Sequence, residues 1–324
     1  MPTPRTRCYR DGTLVDEDFP LTDVSEHLAL PGTVVWVDLT DPGEADLARL
    51  AGELGLHELA VEDALTLRQR PKLDRYLDHL FLSAYSAEFD VATEQVTTNE
   101  IAAFITDRAL VTVHTGVFDL EAVVARWDSA ADLARNGVAF LLHGLLDHLV
   151  DGYFDAVEAL DDRVEELEDQ LFRPGTKQDA VQRASFELRK SLVVLRRVIL
   201  PMREVVNTLL RRDLHLLRDE MGPYFQDVYD HVLRVTECTE SLRDQATAIL
   251  EANLAIQGNR LNVITKKVTG YAAIIAVPTA VTGFYGQNVP YPGFGEPLGY
   301  YTASALIVGL SALLYVQVRR NDWI

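Results

Sequence analysis

Cysteine is scarce in this chain, and the common catalytic motifs are missing. The only two cysteines, Cys8 and Cys238, form no Cys-x-x-Cys pair, which excludes a disulfide framework and a cysteine-based zinc cluster. The chain has no Gly-x-x-x-x-Gly-Lys-Ser/Thr phosphate loop, no Gly-x-Gly-x-x-Gly and no Gly-x-Ser-x-Gly. We therefore expect neither an enzyme nor a catalytic cofactor.

Basic residues are too few to balance the acidic ones. The chain has 49 Asp and Glu against 30 Lys and Arg, which gives a formal net charge of −19. Residues 266–324 contain four basic and two acidic residues, so residues 1–265 carry −21. This balance argues against nucleic acid as a partner and favours cations. For most individual carboxylates a purely solubilising role is an equal alternative.

Charge is absent altogether from two stretches near the C-terminus. Residues 268–285 and 299–318 contain no Asp, Glu, Lys or Arg, and each is long enough to cross a hydrocarbon core of roughly 30 Å. We predict a membrane protein with two spans in contact with lipid. The polar N-terminal residues contain no run that resembles a signal peptide, so insertion is expected to depend on these spans.

Basic pairs flank the two spans on one side of the membrane. Lys266 and Lys267 precede the first span, and Arg319 and Arg320 follow the second. By the positive-inside rule that side is the cytoplasm. The prediction is a multi-pass protein of the plasma or inner membrane with both termini cytoplasmic and residues 286–298 outside.

The first 140 residues alternate short β-like runs with helical stretches, which predicts a cytoplasmic α/β domain with a mixed sheet. The predicted strands are 33–39, 80–87, 101–106 and 109–114, and the predicted helices are 44–54, 56–65 and 120–134.

Long helices are predicted for the region 141–265, which would form a stalk. The first covers 138–172, the second covers 177–220, and the third begins near Pro223 and continues into the first span. At 1.5 Å per residue the third helix would be roughly 90 Å long. A helix of this length must pack against copies of itself or against the other helices.

Short motifs along the chain resemble the CorA-type divalent metal-ion transporters. These are Glu62-Asp63, Gln69-Arg70-Pro71-Lys72, Asp227-Val-Tyr-Asp-His231 and Tyr285-Gly-Gln-Asn288. The resemblance covers essentially the whole chain, and the last motif is specific because it falls between two terminal spans. It implies a funnel-shaped homopentamer with a pore lined by the first span (266–285), a second span (299–318) and a basic tail (319–324). Members carry magnesium and, in some cases, cobalt, nickel or zinc.

The signature of this family departs from its usual form here. Gly-Met-Asn is replaced by Gly286, Gln287 and Asn288, and the Met-Pro-Glu that usually follows is replaced by residues 290–294. Since the middle position varies in zinc-transporting relatives, zinc transport is an alternative to magnesium transport. A second alternative is an acidic sensor or scaffold that the hairpin only anchors in the membrane.

The expected chemistry of the signature follows from the hydration of magnesium. Mg²⁺ holds six waters and loses them reluctantly, so a ring of five Asn288 carboxamides would accept hydrogen bonds from those waters without binding the ion too tightly. Gly286 would allow the backbone to turn at the end of the helix. The alternative is that both residues form an ordinary helix cap.

A stripe of small or weakly polar side chains precedes the signature at helical spacing, and we predict that it lines the pore. Its members are Glu251, Asn262, Thr265, Val268, Ala272, Ala276, Thr279 and Gly283. A narrow apolar band can close a pore by dewetting, and Val268 is a candidate for that position. Glu251 would concentrate cations at the inner mouth, with a solvated surface carboxylate as the alternative.

The resemblance also implies a regulatory metal site between subunits at Asp90 and Asp227. Carboxylates are the ligands that Mg²⁺ prefers, so cytoplasmic Mg²⁺ bound there would hold the pentamer closed. The resulting prediction is a channel for Mg²⁺, with Co²⁺ and Ni²⁺ as further cargo. Ions would move through it into the cytoplasm down their electrochemical gradient. Mg²⁺ is thus both substrate and regulatory ligand.

Two further patterns favour ordinary structural roles. The acidic run 151–169 is typical of a solvated helix face. His143, Asp147 and Asp151 share one helical face, but they have no fourth protein ligand in reach, so a structural role is preferred over a zinc site.

Overall fold

The computed structural model describes residues 3–66, 69–116, 118–130, 132–211 and 219–324. The chain divides into two compact units, Met1–Ile249 and Leu250–Ile324. Each unit is described separately below.

The first unit is built on one seven-stranded mixed sheet. Its strands are β1 (Arg5–Arg10), β2 (Thr13–Glu17), β3 (Thr33–Thr40), β4 (Lys72–Arg75), β5 (Leu80–Asp90), β6 (Gln95–Ile105) and β7 (Ala109–His114). The spatial order is β2-β1-β3-β7-β6-β5-β4, with β3 and β7 parallel and the other neighbours antiparallel. The predicted α/β domain with a mixed sheet is confirmed.

Helices cover both faces of this sheet. They are α1 (Val24–Ala29), α2 (Glu44–Leu54), α3 (Glu58–Thr66), α4 (Leu120–Ser129), α5 (Val138–Phe172) and α6 (Gln178–Leu209). Leu47 of α2 and Ala60 of α3 join Val35 and Val37 of β3 in one apolar core. Side chains alternate along a strand, so Trp36 points to the other face, where it packs edge-on against Trp127 of α4 at 4.9 Å between ring centroids.

Close contacts fix α5 against this second face. Trp127 Nε1 donates to the Leu141 carbonyl at 3.1 Å, and a Cβ on Gly144 would lie only 2.4 Å from the same nitrogen. Further along α5, the Tyr153 hydroxyl donates to the Tyr85 carbonyl of β5 at 2.5 Å. Glycine at position 144 therefore allows the helix and the tryptophan to approach.

Two predicted helices end earlier than the sequence indicated. Helix α4 stops at Ser129, where the Ala130 N–H bonds to the Trp127 carbonyl, and not at residue 134. Helix α6 stops at Leu209 because the Arg211 N–H bonds back three residues to Thr208, which tightens the last turn. The predicted extension to residue 220 falls partly on residues 212–218, outside the described part. The predicted helix 138–172 is confirmed at both ends.

Strands β1, β2 and β4 and helix α1 were not predicted. Strand β1 contains three arginines, and Arg7 is buried in it because its guanidinium Nη1 lies 3.1 Å from Asp128 Oδ1 of α4. A partner 121 positions away along the chain leaves no local signal.

The second unit contains the part of helix α7 (Gly222–Tyr285) that begins at Leu250, followed by helix α8 (Pro297–Arg320). The predicted continuation of the third helix into the first span is confirmed, since α7 has no interruption over its 64 residues.

Candidate ion pathway

Helices α7 and α8 are long and apolar enough to cross a membrane. The most apolar 18 residues have a mean hydropathy of 1.4 in α7 and 1.6 in α8. Only 6% of each of these segments is buried within the chain. Apolar surface of this extent is covered by lipid or by neighbouring subunits, not by the chain itself.

Contacts at both ends hold α7 and α8 together as a hairpin. A Cβ on Gly270 would lie 2.8 Å from Val318 and 3.2 Å from Ile324, so the helices touch there through a residue without a side chain. At the other end the Tyr285 hydroxyl lies 3.4 Å from the Thr302 hydroxyl. Small residues at helix crossings are typical of membrane helices. The sequence did not single out Gly270, because nothing local distinguishes it from the other glycines.

The stripe predicted to line the pore lies on the uncovered side of α7. All eight positions from Glu251 to Gly283 are exposed in the single chain. The half-buried positions of the span lie on another side of the helix, at Ala273, Ile274, Val277, Pro278 and Val281. Helix α8 therefore leaves the stripe free for neighbouring subunits or for water, and the assignment to a pore stays a prediction.

Hydroxyl groups in this span are bonded to the helix backbone. The Thr279 hydroxyl donates to the Ile275 carbonyl at 3.1 Å, and the Thr282 hydroxyl donates to the Pro278 carbonyl at 2.8 Å. A threonine that donates to its own helix keeps its oxygen lone pairs as acceptors. Thr279 can thus accept hydrogen bonds from the waters of a hydrated cation.

Helix α7 ends immediately before the Gly-Gln-Asn signature. The Gly286 N–H donates to the Thr282 carbonyl at 2.8 Å, and the Gln287 N–H donates to the Phe284 carbonyl at 3.3 Å. Gly286 does not adopt a positive φ, so the expected reason for glycine, a special turn conformation, is wrong. The reason is a close approach, because a Cβ at this position would lie 2.9 Å from the Thr282 carbonyl oxygen.

The two carboxamides of the signature are open to solvent. Gln287 and Asn288 are exposed, and their side chains bond to no group in the described part of the chain. Free carboxamide oxygens at the end of the stripe are available to accept hydrogen bonds from the water shell of an ion.

An aromatic cluster shapes the loop that follows. The Tyr291 ring lies 5.0 Å from Tyr285 and 5.2 Å from Phe294 between centroids. Gly293 has a φ of 89°, and a Cβ on Gly299 would lie 2.5 Å from the Gly293 carbonyl oxygen, so the loop packs onto the first turn of α8. The loop is therefore a packed element that holds the signature next to the hairpin.

The carboxylates of the predicted regulatory site are accessible in the first unit. Asp90 ends β5, where its side chain accepts from the Thr93 hydroxyl and the Ala92 N–H, both at 2.8 Å. These bonds lower the pKa of Asp90, so it is charged at neutral pH. Asp227 is exposed near the start of α7, with Oδ1 4.0 Å from His231 Nε2. A bridge between two subunits stays a prediction.

His143, Asp147 and Asp151 of α5 make contacts within the chain. Arg126 of α4 forms ion pairs with Asp147 and, at 2.6 Å, with Asp151. The His143 ring packs edge-on against Tyr224 and Phe225, and burial lowers its pKa. Among the described residues no group of three or more His, Cys, Asp or Glu is placed to hold a metal ion.

Comparison with known proteins finds similarity to metal-ion transporters. The family model described as "CorA-like Mg2+ transporter protein" matches residues 31–320. The "Cobalt/magnesium transport protein CorA" of Thermotoga maritima is 29% identical over 314 residues, which is 95% of this chain and 89% of that protein. The "Zinc transport protein ZntB" of Yersinia enterocolitica is 25% identical over 264 residues, which is 79% of this chain and 77% of that protein.

The fold is also that of a solved full-length structure. The CorA magnesium transporter from Methanocaldococcus jannaschii superimposes with a TM-score of 0.80 at 24% identity, over 100% of this chain and 99% of that one.

We predict that Gly286→Ala destabilises the end of α7. The new Cβ would press on the Thr282 carbonyl oxygen, and forced contacts of this kind cost about 1–3 kcal/mol per site. The melting temperature of the detergent-purified protein should fall. Gly309→Ala in α8 is the matched control, because a Cβ there meets no atom within 4 Å. Equal melting temperatures for both variants would contradict the close approach.

Proposed function

The chain belongs to the CorA-like Mg²⁺ transporter family, and on that basis we propose that it carries Mg²⁺, and also Co²⁺ and Ni²⁺, into the cytoplasm. The observation that carries the proposal is the arrangement of α7, whose exposed small-residue stripe ends in the free carboxamide of Asn288. Five copies arranged around an axis would bring five such stripes together as the wall of a pore.

The proposed pathway handles the ion in its hydrated form. Asn288 at the outer end and Thr279 further along the stripe offer uncharged oxygen acceptors to the ligand waters. Uncharged acceptors keep binding weak enough for the ion to leave. An inside-negative potential supplies roughly 4.6 kcal/mol per 100 mV for a divalent cation, which is enough to drive influx without ATP.

The donor groups of the stripe support magnesium over zinc. Zn²⁺ in proteins is bound by thiolate, imidazole and carboxylate groups, and of these the eight stripe positions contain only the carboxylate of Glu251. The greater identity and coverage of the cobalt/magnesium relative point in the same direction. Zinc transport remains the second candidate, because Gln287 replaces the methionine of the signature.

We also propose the arrangement of the chain in the membrane. Residues 1–265 would be cytoplasmic, 266–285 the pore-lining span, 286–298 external, 299–318 the second span and 319–324 a cytoplasmic tail. Closure would depend on cytoplasmic Mg²⁺ at Asp90 and Asp227, and Val268, which is 63% exposed in the single chain, would form the apolar constriction.

Asn288→Ala should abolish metal flux and leave assembly intact, because a methyl group cannot accept hydrogen bonds from the waters of an entering ion. The measurement is uptake of Mg²⁺, Co²⁺ and Zn²⁺ into proteoliposomes under an inside-negative potential. Asn321→Ala, past the end of α8, is the matched control. Unchanged uptake in Asn288→Ala would exclude the pore assignment, and no uptake by the unmodified protein would favour the anchored sensor or scaffold.

A cysteine introduced as Gly295→Cys should react with an impermeant thiol reagent added outside intact cells. The residue is exposed in the loop between the spans, whereas native Cys238 lies in the proposed cytoplasmic part and should stay unlabelled until lysis. Labelling at position 295 only after lysis would refute the external loop.

The double variant Asp90→Asn, Asp227→Asn should lose control by internal magnesium. Both substitutions remove the negative charge that a bridging cation would neutralise, so Mg²⁺ should no longer protect α7 near position 227 from protease. Asp244→Asn serves as control, since Asp244 lies on α7 and is 74% exposed but outside the predicted pair. Full protection in the double variant would place the sensor elsewhere, with the acidic run 151–169 as the next candidate.

A further inference from the structure

A groove in the first unit differs in charge from its surroundings. It has a volume of about 730 Å³ and lies between the Gln69–Pro71 segment, β5 and α6. Three arginines line it, Arg70, Arg196 and Arg197, and none of its lining residues is acidic. The part of the chain that contains it carries a net charge of −21.

Other clefts of the same unit do not share this property. The cleft of about 900 Å³ beside α5 combines Arg126 and Arg234 with four carboxylates. The cleft of about 590 Å³ beside α1 combines Arg75 and Arg108 with three carboxylates. In these clefts the cations can be balanced by the protein itself, whereas the arginine groove has no acidic lining to do so.

Two of the three guanidinium groups have no partner. In the described residues, no carboxylate lies within 4.0 Å of Arg70 or Arg197, and neither side chain donates a hydrogen bond to protein. Arg196 is paired with Glu240 at 2.5 Å, but Glu240 also binds Arg243 at 2.6 Å, so one carboxylate serves two cations. The groove therefore keeps an excess of positive charge.

Partly buried hydrogen bonds hold the backbone segment that carries Arg70. The Gln69 N–H donates to Glu100 Oε1 at 3.2 Å, and the Gln69 carbonyl accepts from the Tyr85 hydroxyl at 2.5 Å. The Gln69 side chain donates to Asp63 Oδ1 at 3.0 Å. Arg70 thus starts from a rigid segment, and Pro71 restricts the chain after it. This arrangement gives a structural role to the Gln-Arg-Pro-Lys motif.

The chemistry of the groove indicates its ligand class. Guanidinium groups present planar forks of donors that match phosphate oxygens, and clustered arginines recognise phosphate more selectively than single charges do. The volume is within the range of small-molecule sites. We propose that the groove formed by Arg70, Arg196 and Arg197 is a binding site for a polyphosphate chain, either inorganic or part of a nucleoside triphosphate.

The test uses the full-length protein in detergent, stripped of metal with a chelator so that removal of Mg²⁺ by the ligand cannot imitate binding. Inorganic tripolyphosphate is titrated calorimetrically into the unmodified protein, Arg70→Gln, Arg197→Gln and the double variant. Each single substitution should weaken binding about tenfold, the double variant should show no measurable heat, and added salt should weaken binding throughout.

Matched controls separate this site from general charge and from the pore. Arg183→Gln removes an exposed arginine of α6 outside the groove and should bind like the unmodified protein. Asn288→Ala should also bind normally, so failure of the transport proposal and failure of this one are distinguishable. Melting temperatures verify that each variant is folded.

The titrations identify the preferred ligand or overturn the proposal. A parallel titration with ATP identifies the source, since tighter binding of ATP assigns the site to nucleotides and equal binding assigns it to the bare chain. Absence of binding by the unmodified protein at millimolar tripolyphosphate would overturn the proposal. Equal binding by the double variant would overturn it as well.

Discussion

A membrane span must satisfy its own backbone polar groups, because the hydrocarbon core contains no water to do so. The second unit meets this constraint with two helices, and the pathway proposed here follows from it. Backbone groups of α7 are used within the helix, so only side chains remain to contact an ion. Even the hydroxyls of Thr279 and Thr282 donate to helix carbonyls around Pro278, which itself has no N–H to donate.

Close approach of neighbouring atoms determines where glycine is needed in this region. Gly270 lets α7 touch Val318 of α8, and Gly299 lets the first turn of α8 touch the loop at Gly293. Gly286 gives room to the carbonyl that closes the last turn of α7. These contacts fix the segment between the two helices, in which Asn288 lies.

Charge is distributed unevenly in the first unit, because some arginines are paired with carboxylates and others are not. Arginines that face the acidic helix α5 are neutralised, as Arg126 is by Asp147 and Asp151. Arg70 and Arg197 in the groove beside α6 are not. Excess acidic charge on the exposed carboxylates attracts metal cations over the rest of the surface, whereas the arginine groove attracts anions. One domain thus presents an acidic surface and a separate basic groove.

Periodicity and charge in the sequence were enough to predict the long helices, the two spans and the mixed sheet, because each depends on hydrophobic patterning within one segment. Helix α5 is correct at both ends, and the uncharged runs coincide with the spanning parts of α7 and α8. Strand β1 could not be predicted in this way, since one of the carboxylates that pair with the buried Arg7 is Asp128, far along the chain. The same is true of the contact at Gly270.

For the candidate sites too, some features can be read from the sequence and others only from the tertiary structure. Residue type and spacing in the sequence indicated the signature and the stripe, whereas the Asp90 and Asp227 pair was implied only by the family resemblance. Only the tertiary structure decided that the stripe is uncovered, that Gly270 is required by the contact between α7 and α8, and that Arg70 and Arg197 share an unneutralised groove. The physical reason is that exposure, close approach and charge pairing depend on which distant segments meet, and local patterns do not record those meetings.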